Sequence, residues 1–276
     1  MMMNILYCGD DGIKRGVLVS VLSLLMRGNP QNIYNIYIAT VHYEGVKPFT
    51  EKAAKMLDGL VKKVNEKSFV KLIDATEAFA TNPPIKNMGS YFTPCSMLRL
   101  YADKMPELDQ CDRLLYLDYD VVARRDIAEL YNMDLDGIEA AGVLDIYGKH
   151  FYHYHGVRRD YMNSGVMLFN MVECRKTQMF ERAVELCTRR KMLLADQAAL
   201  NKMIKKRKLL PRKYNEQGER PREDTVLHHF SNNFKFWPMF RVQKVKPFQV
   251  QLVHEILGIT EYDDILAKYE ELEGDL

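Results

Sequence analysis

One stretch of sequence decides the fold: Leu114-Leu115-Tyr116-Leu117-Asp118-Tyr119-Asp120-Val121-Val122. Four apolar residues in succession, Leu114–Leu117, are typical of a short strand that is buried on both faces. Asp118 and Asp120 follow the strand, and residues two apart in an extended chain point to the same side. Open α/β sheets bind ligands beyond the carboxyl ends of their strands. Because two converging carboxylates repel each other, the stretch indicates a divalent-cation site, with a simple turn as the alternative.

The rest of the chain alternates between short apolar runs and amphipathic helical patterns. This alternation predicts an α/β fold, a single domain with a mostly parallel central sheet flanked by helices. The predicted strands are Asn4–Cys8, Ile33–Val41, Phe69–Ile73, Leu114–Leu117, Ala140–Leu144, Ser164–Asn170 and Thr225–His229. The predicted helices are Lys14–Arg27, Lys52–Lys67, Met97–Lys104, Ile127–Tyr131, Glu181–Arg190 and Asp196–Lys205.

The charges and cysteines exclude several classes of protein. With 39 basic and 37 acidic residues the net charge is +2, so a nucleic-acid partner is not expected. Five cysteines without a Cys-x-x-Cys pair indicate the reduced thiols of a cytoplasmic protein. The longest apolar run, Val17–Met26, is too short to span a bilayer, and no targeting segment is visible. The basic run Lys205–Lys208 is either a solvated helix end or a peripheral contact with the inner face of the membrane.

Three long segments without clear periodicity are expected around the mouth of a site: Thr81–Thr93, Ile146–Tyr161 and Asn215–Asp224. The second contains His150, His153 and His155 among aromatic residues, which favours either an aromatic loop over an acceptor or a plain surface loop. Asp145, just before it, is a candidate for contact with an acceptor hydroxyl.

A second chemical signal is Val226-Leu227-His228-His229-Phe230-Ser231-Asn232-Asn233-Phe234-Lys235-Phe236-Trp237-Pro238, in which an apolar strand leads into a polar segment. Successive strand residues face opposite sides, so only one of the two histidines can join a given site. The other is expected to be a packed or hydrogen-bonded core residue. An imidazole added to two aspartates suits Mn²⁺ better than Mg²⁺ or Ca²⁺. Lys235 is either a phosphate ligand or a solvated surface lysine.

These stretches together resemble the family 8 glycosyltransferases, which include bacterial lipopolysaccharide galactosyltransferases and glucosyltransferases and glycogenin. The Asp118-Tyr119-Asp120 segment is similar to the family's Asp-x-Asp motif. His229-Phe230, Lys235 and Trp237 fit its C-terminal pattern His-Phe-x-Gly-x-x-Lys-Pro-Trp. The remaining matches occur in the family's order: Cys8-Gly9-Asp10-Asp11, Ser96-Met97-Leu98-Arg99-Leu100, Asn163-Ser164-Gly165-Val166 and Asp196-Gln197.

The resemblance implies a fold and an activity. The fold is a single Rossmann-like GT-A domain over residues 1–276, with a nucleotide-binding half (1–120), an acceptor-side half (121–245) and a C-terminal helical extension (246–276). The activity is the retaining transfer of a hexose from UDP-glucose or UDP-galactose to a glycan or glycolipid such as lipopolysaccharide. The implied cofactor is Mn²⁺, with Mg²⁺ as the alternative.

The resemblance also implies residue roles. Asp118, Asp120 and His229 would hold the metal, and Asp196 and Gln197 would take part in catalysis. Same-face attack by the acceptor is favoured, with a UDP phosphate oxygen taking its proton and Gln197 steadying the positive sugar. The alternative is Asp196 as a nucleophile. The residues expected to bind the nucleotide sugar are Cys8, Asp10 (uracil), Arg99, Asp118 (ribose), Asn163, Asp196, Gln197, Asn232 and Lys235 (diphosphate).

Three positions depart from the family pattern, and two other functions compete. Gly12-Ile13 stands where the family commonly has Asn-Tyr, Asn232 replaces a glycine, and Phe236 replaces a proline. A haloacid-dehalogenase-type phosphatase also places Asp-x-Asp after an apolar strand, but it would leave His229 without a role. The other alternative is a catalytically inactive nucleotide-sugar binder. The departure at Gly12-Ile13 is the feature that favours it.

Overall fold

The helices and strands are described for residues 1–88, 94–146, 160–235 and 241–276 of a computed structural model, with the backbone alone at 233–235 and 241. The strands are β1 Met2–Cys8, β2 Ile33–Thr40, β3 Phe69–Asp74, β4 Arg113–Leu117, β5 Val121–Ala123, β6 Ala140–Leu144, β7 Met162–Asn170, β8 Arg207–Leu210, β9 Leu227–His229, β10 Asn233–Lys235 and β11 Arg241–Gln243. The α-helices are α1 Lys14–Arg27, α2 Glu51–Val64, α3 Thr76–Thr81, α4 Ala128–Tyr131, α5 Met171–Lys176, α6 Met179–Arg189, α7 Ala195–Met203, α8 Val250–Leu252 and α9 Asp263–Leu272.

The central sheet has seven strands in the order β3-β2-β1-β4-β7-β6-β8. β1 pairs in parallel with β2 and β4, β2 pairs in parallel with β3, and β6 pairs in parallel with β8. Only β7, among these seven, runs antiparallel to its neighbours β4 and β6. The predicted α/β fold with a mostly parallel sheet is therefore confirmed.

Two hydrophobic clusters cover the two faces of the sheet. Successive residues of β4 divide between them: Leu115 and Leu117 join the cluster that contains α1 and α2, whereas Leu114 and Tyr116 join the cluster that contains α6 and α7. All four side chains are buried. The prediction that Leu114–Leu117 is a strand buried on both faces is confirmed, and this burial fixes where Asp118 leaves the sheet.

The interpretation of Lys205–Lys208 as a solvated helix end was wrong. The helix predicted to reach Lys205 ends at Met203, and Arg207–Leu210 forms the edge strand β8 beside β6. The guanidinium of Arg207 turns inward, where Nη2 donates to the carbonyls of Asn201 and Ile204. Arg207 and Lys208 donate to backbone carbonyls, so basic residues can lie in this edge strand. A run of basic residues in the sequence does not reveal such contacts.

The helix predicted over Met97–Lys104 is confirmed; it is a 3-10 helix and begins earlier, at Pro94. One further prediction needs correction. The predicted core strand Thr225–His229 is shorter, β9 Leu227–His229, and pairs antiparallel with β5 in a separate two-stranded sheet. Its buried apolar residues gave it the pattern of a core strand, but its partner is the segment that follows Asp120.

The C-terminal residues pack on the body of the domain. Tyr262, Ile265 and Leu266 belong to the same hydrophobic cluster as α1. At the end of α1, the guanidinium of Arg27 makes two 2.7 Å bonds to the carboxylate of Asp264. The helix α9 and the residues around it therefore complete the core of the domain. Among the described residues, no helix has both the length and the apolar character needed to cross a membrane.

Candidate active site

Asp118 and Asp120 lie in a turn between β4 and β5. Asp118 follows β4, and the amide of Val121 donates to the carbonyl of Asp118 at 3.1 Å. The extended geometry used to predict their convergence was therefore wrong, although the carboxylates do converge. The turn sends the chain directly into β5, where Val121 lies opposite His229 of β9. This pairing brings a histidine from a distant part of the sequence to the aspartates.

The resulting cluster consists of Asp118, Asp120 and His229. Each side chain offers one donor atom, and the three atoms lie within 4.8 Å of one another. Nε2 of His229 lies 3.3 Å from Oδ1 of Asp120 and 3.7 Å from Oδ2 of Asp118. Two carboxylates and one imidazole are a donor set that fits Mn²⁺, and three protein ligands leave coordination positions for a substrate.

Asn215 orients the imidazole of His229. Its Oδ1 lies 3.2 Å from Nδ1 of His229, where it can accept a hydrogen bond and so keep Nε2 turned toward the aspartates. Its Nδ2 donates to Oδ1 of Asn163 at 2.9 Å. Asn215 was not predicted as a site residue; the only signal for it was its place at the start of a long segment expected near the site.

His228 faces the opposite way. Its ring nitrogens lie 3.1 Å from the hydroxyl of Tyr262 and 3.0 Å from the carbonyl of Gly218. Burial lowers the pKa of His228 to about 4, so the ring is neutral. The expectation that one of the two histidines is a hydrogen-bonded core residue is confirmed for His228.

Arg99 holds two acids of the site together. Nη2 of Arg99 donates to Oδ1 of Asp118 at 3.0 Å, and its Nε lies 3.2 Å from Oδ2 of Asp196. Its Nη1 donates to the carbonyl of Ser164 at 2.9 Å, and the guanidinium lies over the ring of Tyr116. Because the guanidinium is buried and bonded on several sides, it fixes the positions of the Asp118 and Asp196 carboxylates. The contact of Arg99 with the sugar stays a prediction.

Asp196 and Gln197 lie in the first turn of α7, a favourable place for a negative charge. Burial raises the pKa of the Asp196 carboxyl, and the positive charge of Arg99 opposes that rise. Oε1 of Gln197 accepts from the amide of Ser164 at 2.9 Å, and its Nε2 donates to Oδ2 of Asp145 at 3.1 Å. The amide of Gln197 is therefore locked at both ends.

Asp145 and Asn163 belong to the same buried network. Nδ2 of Asn163 donates to Oδ2 of Asp145 at 3.0 Å, so this carboxylate oxygen accepts from both Asn163 and Gln197. Asp145 follows β6 and Asn163 lies at the start of β7, at the edge of the sheet where Asp118 leaves β4. The structure therefore brings together most of the predicted sugar-binding residues.

The end of β1 supplies Cys8 and Asp10. Cys8 is buried, and burial raises the pKa of its thiol, so it is a neutral residue in the strand. Oδ1 of Asp10 accepts from the amide of Gly12 at 2.9 Å and caps a 3-10 turn. Ile13 packs into the core, where its side chain occupies the space that a Cβ on Gly9 would need. Ile13 therefore does not replace an aromatic cover for a base.

The predicted diphosphate segment is described only in part. Asn232 is half-buried, and its enclosed Oδ1 has no hydrogen-bond partner among the side chains that the structure describes. Lys235 ends β10, opposite Arg241 of β11, and its side chain lies outside the description. Trp237 and the segment with His150, His153 and His155 also lie outside the described residues.

Lys246 is a second site residue, after Asn215, that sequence reasoning missed. Its Nζ lies 2.5 Å from Oδ2 of Asp120 and 3.1 Å from the carbonyl of Phe230. Burial opposes ionisation of Asp120, but the charges of Lys246 and His229 outweigh it and hold the pKa of Asp120 below its ordinary value. One signal was available: Lys246-Pro247 carries the Lys-Pro pair of the C-terminal pattern, whereas Lys235 is followed by Phe236.

Gly165 lies where any side chain would enter the cluster. A Cβ there would be 2.3 Å from Cε1 of His229 and 2.8 Å from Oδ2 of Asp118. We expect Gly165→Ala to displace both ligands and to weaken Mn²⁺ binding, measured by titration calorimetry, by about tenfold or more. Gly59→Ala in α2, where a Cβ would meet nothing within 4 Å, is the matched control. Equal Mn²⁺ affinity in the two variants would contradict this geometry.

Fold and site together define a class of protein: an α/β protein whose sheet edge presents two carboxylates and an imidazole beside a buried network of polar side chains. The chain matches the profile of Glycosyl transferase family 8 over residues 4–239 and belongs to this family. The predicted family is therefore confirmed, and the phosphatase alternative is wrong.

The chain is also similar to several named proteins. A lipopolysaccharide 1,2-glucosyltransferase of Escherichia coli strain K12 is 26% identical, with 91% of this chain and 77% of that protein covered. General stress protein A of Bacillus subtilis strain 168 is 23% identical, with 73% of this chain and 69% of that protein covered. The galactosyltransferase LgtC, solved in complex with donor and acceptor sugar analogs, has the same fold: the TM-score is 0.74 at 17% identity, with 99% of this chain and 100% of that chain covered.

Proposed function

We propose that the protein is a metal-dependent, retaining hexosyltransferase that uses UDP-glucose or UDP-galactose. The observation that carries the proposal is the convergence of Asp118, Asp120 and His229 beyond the ends of β1 and β4, where open α/β sheets bind nucleotides. Mn²⁺ held there would act as a Lewis acid on the departing UDP, whose negative charge grows as the glycosidic bond breaks. Family membership supports transfer of a glycosyl group, and the cluster supports the metal.

The remaining residues would bind and orient the donor. Asp10 and Cys8 at the end of β1 are proposed to lie at the uracil, and Asp118 at the ribose. Asn232 and Lys235 would approach the diphosphate. Arg99, fixed between Asp118 and Asp196, would maintain the distance between metal and sugar.

The proposed reaction is attack by the acceptor on the face that UDP vacates. Asp196 is held by Arg99 at 3.2 Å in the first turn of α7, an arrangement that suits a carboxylate bound to sugar hydroxyls better than a free nucleophile. The carbonyl oxygen of Gln197, oriented by the amide of Ser164, would steady the positively charged sugar. Attack from that face retains the anomeric configuration, because the acceptor replaces UDP on the same side. A phosphate oxygen of UDP would take the acceptor proton.

The choice of base can be tested by nucleotide titration. With Mn²⁺ present, we expect UDP to bind at least about tenfold more tightly than ADP or GDP, because Asp10 is proposed to accept from the N–H of uracil. Calorimetry on the purified protein measures all three, and Asp136→Ala, which removes an exposed acid, is the control variant. Tighter binding of ADP or GDP than of UDP would refute the uridine assignment.

A turnover assay separates an active transferase from an inactive nucleotide-sugar binder. Slow release of free hexose from UDP-glucose or UDP-galactose, dependent on Mn²⁺, is the expected result. Binding of UDP without any release or transfer would favour the inactive binder. The acceptor, proposed to be a glycan or glycolipid such as lipopolysaccharide, is identified by screening sugars and glycolipids with a radiolabelled donor.

A further inference from the structure

The position of Lys246 raises a question about the candidate metal centre. Nζ of Lys246 lies 2.5 Å from Oδ2 of Asp120, and the two side chains are 19% and 6% exposed. The carbonyl of Phe230 accepts a second bond from the same ammonium group at 3.1 Å. A lysine held this firmly already supplies a positive charge to one of the three proposed metal ligands.

Both oxygens of Asp120 are engaged. Lys246 bonds to Oδ2, and Nε2 of His229 lies 3.3 Å from Oδ1. A cation shared by Asp118, Asp120 and His229 would compete with these two partners for the carboxylate of Asp120. His229 is itself a proposed ligand and is held in place by Asn215 at 3.2 Å. Lys246, on a flexible four-carbon stem, is the partner that can move.

The charges give the move a direction. Arg99 is shared between Asp118 at 3.0 Å and Asp196 at 3.2 Å, and Lys246 bonds to Asp120, so three carboxylates are paired with one guanidinium and one ammonium. A divalent cation added to this group makes its total charge positive and repels the ammonium of Lys246. An anionic diphosphate that arrives with the cation supplies the missing negative charge and offers the ammonium a new partner.

We propose that Lys246 is an exchangeable counter-ion, which holds the cation's place on Asp120 until nucleotide binds and then transfers to the diphosphate. The proposal rests on the function proposed above and adds a consequence to it. Metal and nucleotide bind cooperatively because each removes an obstacle to the other, and Lys246 carries that coupling. Substituting Lys246 should therefore improve binding of the metal alone and impair binding of the metal with nucleotide.

Calorimetric titration of the full chain with Mn²⁺, with and without saturating UDP, tests the coupling. In the wild type we expect UDP to tighten Mn²⁺ binding by roughly 100-fold. In Lys246→Met, Mn²⁺ alone should bind roughly tenfold more tightly than in the wild type, and the enhancement by UDP should shrink to less than about tenfold. Lys246→Arg, which keeps the charge, should retain most of the coupling. Lys244→Met, an exposed neighbour, should behave as the wild type.

The outcomes distinguish this proposal from the proposed function. If the wild type binds Mn²⁺ and releases hexose, but Lys246→Met shows unchanged or weaker affinity for Mn²⁺ alone at an unchanged melting temperature, the counter-ion role is wrong and the transferase stands. Mn²⁺ binding that is detectable without UDP only in Lys246→Met supports the role directly. Absence of Mn²⁺ binding from every variant, with or without UDP, overturns both proposals.

Discussion

Asp120→Ala is expected to abolish Mn²⁺-dependent turnover, with a loss of about 10³-fold or more in kcat/KM. Asp120 lies between His229 and Lys246, so its removal takes away a ligand and disorganises both neighbours. Asp120→Asn keeps the shape of the side chain and should lose nearly as much activity, since a neutral amide is a poor ligand for Mn²⁺. Initial rates of hexose release with and without EDTA measure both variants.

The control for this prediction is an acid far from the cluster. Asp136→Ala removes an exposed carboxylate and should keep wild-type activity and metal dependence. Thermal unfolding of each variant checks that the fold is kept. Near-normal turnover of Asp120→Ala in the presence of EDTA would show that the metal proposal is wrong.

Asp196→Asn is expected to lower kcat/KM by about 10²-fold or more. No covalent intermediate is expected in the wild type or in this variant. The carboxylate of Asp196 pairs with Nε of Arg99, which also holds Asp118 through Nη2. Replacing the charge with an amide weakens the ion pair with Arg99 and the proposed contact with sugar hydroxyls. We therefore expect a loss through poorer positioning of the donor. Steady-state kinetics with varied donor concentration measures the loss, and Glu185→Gln on the exposed face of α6 is the control.

The same residue decides the mechanism. If the acceptor attacks on the face that UDP leaves, wild-type protein incubated with donor alone shows an unchanged mass. A mass increase of one hexose that maps to Asp196 would establish the two-step route and overturn same-face attack.

The convergence of Asp118 and Asp120 could be predicted from sequence because a local pattern fixes where they lie. Leu114–Leu117 can only be a buried strand, and whatever follows such a strand emerges at the edge of the sheet. The two carboxylates converge as predicted, although Asp118 and Asp120 lie in a turn and not in an extended strand. The paired histidines were separable for the same local reason: neighbours on β9 face opposite sides.

Lys246 could not be located in this way because its position depends on a long-range return of the chain. Spacing from His229 favours Lys235, the nearer lysine. In the structure β10 and β11 form an antiparallel pair, with Phe234 opposite Val242, so the chain leaves the site and comes back to it. No local pattern between Lys235 and Lys246 predicts that Lys246 lies near Asp120. The only signal in the sequence is the Lys246-Pro247 pair.

Asn215 escaped prediction for a different reason. Its contribution is a single hydrogen bond to Nδ1 of His229, and an asparagine in a polar segment carries no pattern that marks such a bond. The edge strand β8 was not predicted because it is short and basic. The hydrogen bonds that the Arg207 guanidinium makes inside the protein cannot be inferred from its charge. In both cases the deciding contacts join distant parts of the chain.

The reversed direction of β7 has a consequence for how such enzymes diversify. Because β7 runs against β4 and β6, the chain leaves the sheet after Leu144 and re-enters it at Met162, which is the residue paired with Leu144. A connection whose two ends are neighbours can lengthen, shorten or change composition without shifting the register of any strand. Asp145 and Asn163 stand at the two ends of this connection. On the proposed function, acceptor preference can therefore evolve, or be grafted between relatives as an interchangeable cassette, while the metal acids and their supporting strands stay fixed.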